Sequence, residues 1–328
     1  MNRRDAIFKT ALGASTFLFG TACNNKIAAT TPTTSSSTKS TAAIGIQLFT
    51  IPRLVDNDLK GTLKLLSETG YKEVEFFGPY PFSAEATKRQ WNMFKQQLGL
   101  KNNAFYGYTV QETAAMLKDY GLSAPSFHAD LDTMRTGMNK MLDELAVLDA
   151  KYVVIPALST GRSSLEDYKK IAEEFNDFGA QMSKYDMQFV YHNHGYEHKE
   201  MSGEIPMHYL LKNTDSKYVA FELDIFWMQA AGADPKVFLE TYPDRYVMLH
   251  LKDASEAFRF SGDGSTPDQW MAGFSKMIDP GEGVLDVEGI LETAKKTSVQ
   301  HFFLERDLAP DPMNTIKNSY SNLSKMLA

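Results

Sequence analysis

Residues 188–197 read Gln-Phe-Val-Tyr-His-Asn-His-Gly-Tyr-Glu. Gln188–His192 is a short apolar and aromatic run of strand length, and it ends on ionisable side chains where a turn would be expected. The same pattern recurs three times downstream. An apolar run reaches Glu222-Leu223-Asp224. Val247-Met248-Leu249 leads into His250-Leu251-Lys252-Asp253, and His301–Leu304 leads into Glu305-Arg306-Asp307. Imidazoles and carboxylates at the C-terminal ends of successive parallel strands converge on one mouth, an arrangement suited to a divalent metal and a polar substrate.

Outward from these four segments the chain alternates strand-like and helix-like stretches. Further strand candidates are Ile44–Thr50, Glu73–Phe77, Ala124–Ala129 and Tyr152–Ala157, with Val219–Leu223 and Tyr246–Leu251 preceding two of the ionisable ends. Helical periodicity falls between them, at Leu59–Thr69, Thr133–Leu148, Leu165–Lys184 and Val287–Thr297. Eight alternating units with continuous apolar strands predict an α/β fold, a single-domain (β/α)8 TIM barrel over residues 43–328. A doubly wound sheet would carry a Gly-rich phosphate loop after the first strand; here that strand runs into Gln47-Leu48-Phe49-Thr50-Ile51-Pro52. Phe258 to Pro280 is a longer insertion after the seventh strand and reads as an active-site loop.

The 328-residue chain has a formal charge of −7, which argues against broad nucleic-acid binding. Its single cysteine is Cys23, so no disulfide forms within the chain. Residues 1–23 read as an export signal: Arg3-Arg4 resembles a twin-arginine signal, and a small-residue run ends Gly20-Thr21-Ala22-Cys23, which resembles a lipobox with Gly20 where leucine is usual. A lipid on Cys23 would tether the chain to a membrane; ordinary cleavage would leave it free in the periplasm. Residues 24–42 are Thr/Ser-rich, cannot bury a core, and read as a linker.

For a metal, His192, Asp224, His250 and Glu305 are the candidates. Each alone has a plainer reading, Asp224 as a helix cap and Glu305 as half of an ion pair, but several desolvated carboxylates at one level repel one another unless a cation joins them. His192 and His194 share a strand face, so one would ligate and the other would meet substrate. Glu305, Glu197, His194 and Lys252 are the candidates for proton transfer and oxyanion binding. Glu75 and His128 on earlier strands, and Trp227 as a stacking face beside Phe226, Phe77 and Tyr80, are the candidate substrate contacts.

The segments YHNHGYE, FELDIFWMQAAGADP, RYVMLHLKD, DPGEGVLDVEGIL and HFFLERD resemble the sugar phosphate isomerase/epimerase group of the xylose isomerase-like barrels, from about Ile44 to the C-terminus. The resemblance implies one divalent metal ion (Mn, Zn, Co or Mg), with Asp224, His250 and Glu305 as ligands and His192 where the family carries a glutamate. That substitution puts a two-glutamate epimerisation in doubt and leaves metal binding intact, since imidazole is a good ligand. The implied activity is isomerisation or epimerisation of a sugar or keto-sugar through an enediolate. The alternatives are a keto-glycoside lyase or dehydratase, and a non-catalytic sugar-binding lipoprotein. Nuclease action is disfavoured by the acidic charge and by the absence of the larger set of metal-ligating histidines. The sequence leaves the oligomeric state open.

Overall fold

A computed structural model describes residues 42–102 and 104–328; the export segment and nearly all of the linker lie outside them. Eight parallel strands form a closed barrel: β1 (Ile44–Gln47), β2 (Glu73–Phe77), β3 (Ser123–His128), β4 (Tyr152–Ile155), β5 (Gln188–His192), β6 (Val219–Asp224), β7 (Tyr246–Leu251) and β8 (His301–Leu304). The ring closes where β1 pairs with β8 as well as with β2, Ile46 opposite Leu304 and Val74. This is the (β/α)8 barrel expected from the alternating pattern.

Residue alternation sorts each strand into two faces. Phe189, Tyr191, Phe221, Leu223, Leu249, Leu251, Phe302 and Leu304 point outward into the main core beneath the helices. Val154, Val190, Ala220, Met248 and Phe303 belong to a separate buried cluster inside the barrel. Position 45 is held to glycine there, because a Cβ would come 2.4 Å from the Phe303 ring. The helices start where the sequence supplies caps. Asp58 accepts from Gly61 N, Asp130 accepts from Thr133 N, and Ser164 with Asp167 forms a reciprocal capping box.

Two strands are shorter than their apolar runs. β1 stops at Gln47, whose side chain accepts from Phe49 N and turns the chain into the helical turn Leu48–Thr50. β4 stops at Ile155, before Pro156, which has no N–H to give a ladder. The 258–280 insertion is ordered: it holds the helix Pro267–Phe274 and the strand Met277–Ile278, antiparallel to Asp253–Ala254.

Asp253 organises the segment beyond. Its carboxylate accepts from the backbone of Gly281, Gly283 and Leu285 at 2.9–3.0 Å. A Cβ at Gly283 would meet Asp253 Oδ1 and Ala254 O at 2.3 Å. The DPGEG stretch is thus a loop wrapped on one aspartate, which fixes the end of the strand that carries His250 and Lys252.

Candidate active site

One step above the apolar cluster the inward side chains become ionisable. Glu75 of β2 is fully buried. It accepts from Gln47 Nε2 at 2.8 Å, from Ser126 Oγ, and from the imidazoles of His128 and His250 at 3.0 and 2.6 Å. Glu222 of β6, equally buried, accepts from His128 Nε2 at 3.1 Å and His192 Nδ1 at 2.9 Å. Burial alone would raise both carboxyls. The facing imidazoles outweigh it, holding Glu75 far below the usual carboxylate range and Glu222 at about 2. Conversely, burial would lower His128, but Glu75 and Glu222 lift it to about 9. His250 is lifted well above the ordinary imidazole value by Glu222, Glu305 and Glu75 against the same burial.

The next level holds Asp224, Lys252, Glu305 and Asp307. Asp224 has two roles, one for each oxygen. Oδ1 caps the helix Ile225–Ala230, accepting from Phe226 N and Trp227 N at 2.9 Å. Oδ2 turns to the site, 3.0 Å from Lys252 Nζ and 3.7 Å from His192 Nε2. The Asn193 amide clamps the backbone of residue 224 from both sides. Lys252 Nζ also lies 2.9 Å from Glu305 Oε2 and 2.5 Å from Asp307 Oδ2. Burial and the neighbouring Glu305 charge push Asp307 up to about 7, whereas Glu305, paired with Lys252 and His250, stays low in spite of burial.

His192 and His194 share a face but differ in partners. Burial holds both imidazoles neutral, His194 at about 3 and His192 well below its ordinary value. His194 donates from Nδ1 to Pro156 O at 2.6 Å, which leaves Nε2 as the basic nitrogen. A cavity of about 430 Å³ opens above, lined by His128, Asp130, His192, His194, Lys252, Glu305 and Asp307 on its polar side.

Three of the candidates for proton transfer or substrate contact do not line the cavity. Trp227 does not reach the cavity: it is fully buried, with Phe260 stacked on it at 5.7 Å, Phe274 at 6.0 Å and His194 at 5.7 Å. Phe260 and Phe274 of the 258–280 insertion cover the Trp227 ring, and Phe226 and Tyr80 are likewise buried. Glu75 sits beneath the histidines and touches no cavity space; it orients His128 and His250. Glu197 is fully buried and accepts from Tyr191 Oη and from the backbone N–H of His194. It braces the turn after β5 and does not line the cavity. Glu222, Asp307, Gln47 and Ser126 were given no role by sequence reasoning. Glu222 had a signal, since it stands two residues before Asp224 and therefore shares its face.

The donor set fits a cation. Single donor atoms of Asp224, His250 and Glu305 lie within 4.8 Å of one another, and so do those of His128, His192, Glu222 and His250. Glu222 Oε1 and Asp224 Oδ2 are buried and accept no hydrogen bond, although His250 and Lys252 lie 3.0 Å away in ion-pair contact. Five carboxylates face one ammonium in this closed space, so negative charge remains in excess even with His128 and His250 protonated. His192 and His250 each give one ring nitrogen to a glutamate, Glu222 and Glu75. That leaves Nε2 and Nδ1 toward Asp224 and Glu305, which is how carboxylates orient metal-binding imidazoles.

Residues 63–318 match the model of the xylose isomerase-like TIM barrel family, and the chain belongs to it. Over 163 residues it is 26% identical to an inosose dehydratase of Clostridium perfringens, covering 49% of this chain and 51% of that protein; the match thus spans about half the length of that relative. Among solved structures, a sugar phosphate isomerase/epimerase of Parabacteroides distasonis superposes with a TM-score of 0.68 at 22% identity, covering 88% of this chain and 96% of that one. The IolI protein, solved with a bound zinc atom, superposes with a TM-score of 0.64 at 15% identity, covering 87% and 98%.

Proposed function

We propose that this protein is a metal-dependent enzyme that removes a proton from the carbon beside a carbonyl of a sugar or keto-sugar, giving isomerisation or epimerisation. The observation that carries the reading is the cluster at the strand ends. Two donor groups meet at His250, one with Asp224 and Glu305 and one with His192, His128 and Glu222; Glu222 Oε1 and Asp224 Oδ2 lack hydrogen bonds, and the cavity opens directly above. Asp224, His250, Glu305 and His192 would hold one divalent ion, of the Mn, Zn, Co or Mg type. When bound, it would polarise the substrate carbonyl and stabilise the enediolate.

The chain's own residues supply the proton traffic. Glu305 is ionised by its pairing with Lys252 and His250 and lines the cavity, so it can accept the proton. His194 lines it from just past β5, neutral and with Nε2 unprotonated, and can accept a hydrogen bond or a proton from a substrate hydroxyl, while Glu305 returns the carbon proton it took. Lys252 offers an ammonium to a developing oxyanion. It is the one permanent cation among the described lining residues, and Asp224, Glu305 and Asp307 share it. A phosphate would therefore find no basic cradle, which favours an unphosphorylated sugar. Export, with or without a lipid on Cys23, belongs to the same reading.

Elimination of water or of a glycosidic group is the second reading. Similarity to inosose dehydratases favours it, and so does His192, which removes one of the two glutamates that a symmetrical epimerisation would use. Both readings begin with carbon-proton removal. The test is metal content of the purified chain together with deuterium uptake into keto-sugars in deuterated water, in wild type and Asp224→Asn. About one equivalent of metal and exchange in wild type, both lost in the folded variant, are expected. An absence of metal and exchange after addition of Mn, Co or Zn would leave a sugar-binding protein. Exchange without release of water or an aglycone separates isomerase from lyase, which releases one or the other.

A further inference from the structure

The helix Glu85–Leu98 buries only Leu98, yet one of its faces turns to the cavity. Thr87, Gln90, Trp91 and Phe94 stand at helical spacing on one face, and all four line the cavity. Ring contacts carry that face inward, from Phe94 to Trp91 at 5.7 Å, Trp91 to Phe77 at 5.8 Å and Phe77 to Phe49 at 5.1 Å. Phe94 is 38% exposed at the outer end. The helix is anchored at its start, where Thr87 Oγ1 donates to Asp130 Oδ1 at 2.6 Å and Ala84 N to Thr133 Oγ1 at 2.9 Å. Asp130 thus joins the aromatic wall to the strand end that carries His128.

The cavity is therefore two-sided. Its floor, with His128, His192, His194, Lys252, Glu305 and Asp307, is ionisable; the wall of Phe49, Phe77, Trp91 and Phe94 carries no charge. Its volume of about 430 Å³ lies in the range that encloses drug-sized ligands, and one pyranose ring held over the floor would leave the wall bare. Aromatic faces stack on the apolar C–H faces of pyranose rings and bury large area at little conformational cost. We propose that this wall is a second subsite that stacks the distal ring of a glycoside, so that the substrate is a two-ring keto-glycoside whose reacting ring sits on the floor. This rests on the sugar reading above and extends it outward along the same cavity.

The test compares ring number directly. The full-length chain, its Trp91→Ala and Phe94→Ala variants and Trp91→Phe are titrated by calorimetry with cellobiose, lactose and mannobiose, with their component monosaccharides, and with the 3-keto form of each. Deuterium exchange is followed on the keto forms. At least one disaccharide is expected to bind ten-fold or more tighter than its monosaccharide. Trp91→Ala should lose about ten-fold for the disaccharide and stay within two-fold for the monosaccharide, and Trp91→Phe should keep most of the affinity. Both aromatic positions are surface-facing, and Phe94→Ala reads the same wall if Trp91→Ala is poorly folded. Monosaccharide binding and exchange with no disaccharide preference, or equal losses for both in Trp91→Ala, would overturn the subsite and leave the sugar reading standing. Neither binding nor exchange with any of these sugars would overturn both.

Discussion

Val190 and His192 stand two residues apart on β5, as do Ala220 and Glu222 on β6, Met248 and His250 on β7, and Phe303 and Glu305 at the end of β8. In each pair both side chains point into the barrel, separated by one step of about 6–7 Å along the strand. The lower members form a dry apolar cluster. The upper members, with Glu75 and His128, form an ion network in which each buried carboxylate depends on a facing imidazole or ammonium. The lower layer seals the barrel, and the upper layer has an open cavity above it. One strand step separates a packing problem from a charge problem.

The comparison predicts separable losses. The largest is Glu305→Gln, which keeps shape and removes the charge facing Lys252 and His250. Substrate deuterium exchange should fall about 10²–10⁴-fold with a melting temperature near that of wild type, because Lys252 keeps Asp224 and Asp307. Unfolding of this variant would show that the upper layer, like the lower, is needed for the fold. Phe303→Ala tests the other layer. It should cost about 3–5 kcal/mol in denaturant unfolding while exchange per folded molecule stays near the wild-type rate. A dead but folded Phe303→Ala would join the two layers into one unit. Ser126→Ala is subtler, removing one donor from Glu75. It should cost about 1.5–3 kcal/mol and lower metal affinity through His250, read by competition with a chelator.

Much of this was legible in the sequence because strand-end chemistry follows the chain. His192, Asp224, His250, Lys252 and Glu305 are marked by position after apolar runs; His192, Lys252 and Glu305 line the cavity, and Asp224 and His250 lie buried beside them. What escaped depends on neighbours that are distant in sequence. Glu75 lies 175 residues from His250; its place in an apolar strand implies a buried partner, but nothing local says that the partner is an imidazole. Trp227 follows Asp224 closely and reads as a mouth residue; only the folding-back of Phe260 and Phe274 shows that its face is covered. Glu197 reads as a proton-transfer candidate, and the local turn after β5, which brings it under Tyr191 Oη six residues back, is not visible in the strand pattern. The aromatic pair Trp91 and Phe94 carries no such mark, because its helix lies outside the metal pattern and its spacing equally suits packing against a core.

A histidine outside the barrel sharpens the contrast by a smaller amount. His198 lies just past β5, edge-on to Phe238 at 5.0 Å, with both ring nitrogens buried and without hydrogen-bond partners. With no carboxylate beside it, burial, assisted by His208, lowers it to about 3, whereas Glu75 and Glu222 lift the buried His128 to about 9. The signs of the two contributions are opposite. His128 binds its proton more tightly folded than unfolded, so its stabilisation is full below about pH 6.5 and is lost as pH rises through about 9. His198 binds its proton more weakly when folded, so its stabilisation is present above about pH 6.5 and is lost as pH falls toward 3, because the unfolded chain takes the proton first. Near pH 5 that penalty should be about 1–2 kcal/mol. His198→Phe removes the titrating ring and keeps an aromatic against Phe238. Its melting temperature should therefore fall less than that of wild type between pH 7 and pH 5. Parallel melting curves for the two proteins across that range would mean that water or a carboxylate reaches His198 in solution, and that its buried imidazole is not the apolar counterpart of His128.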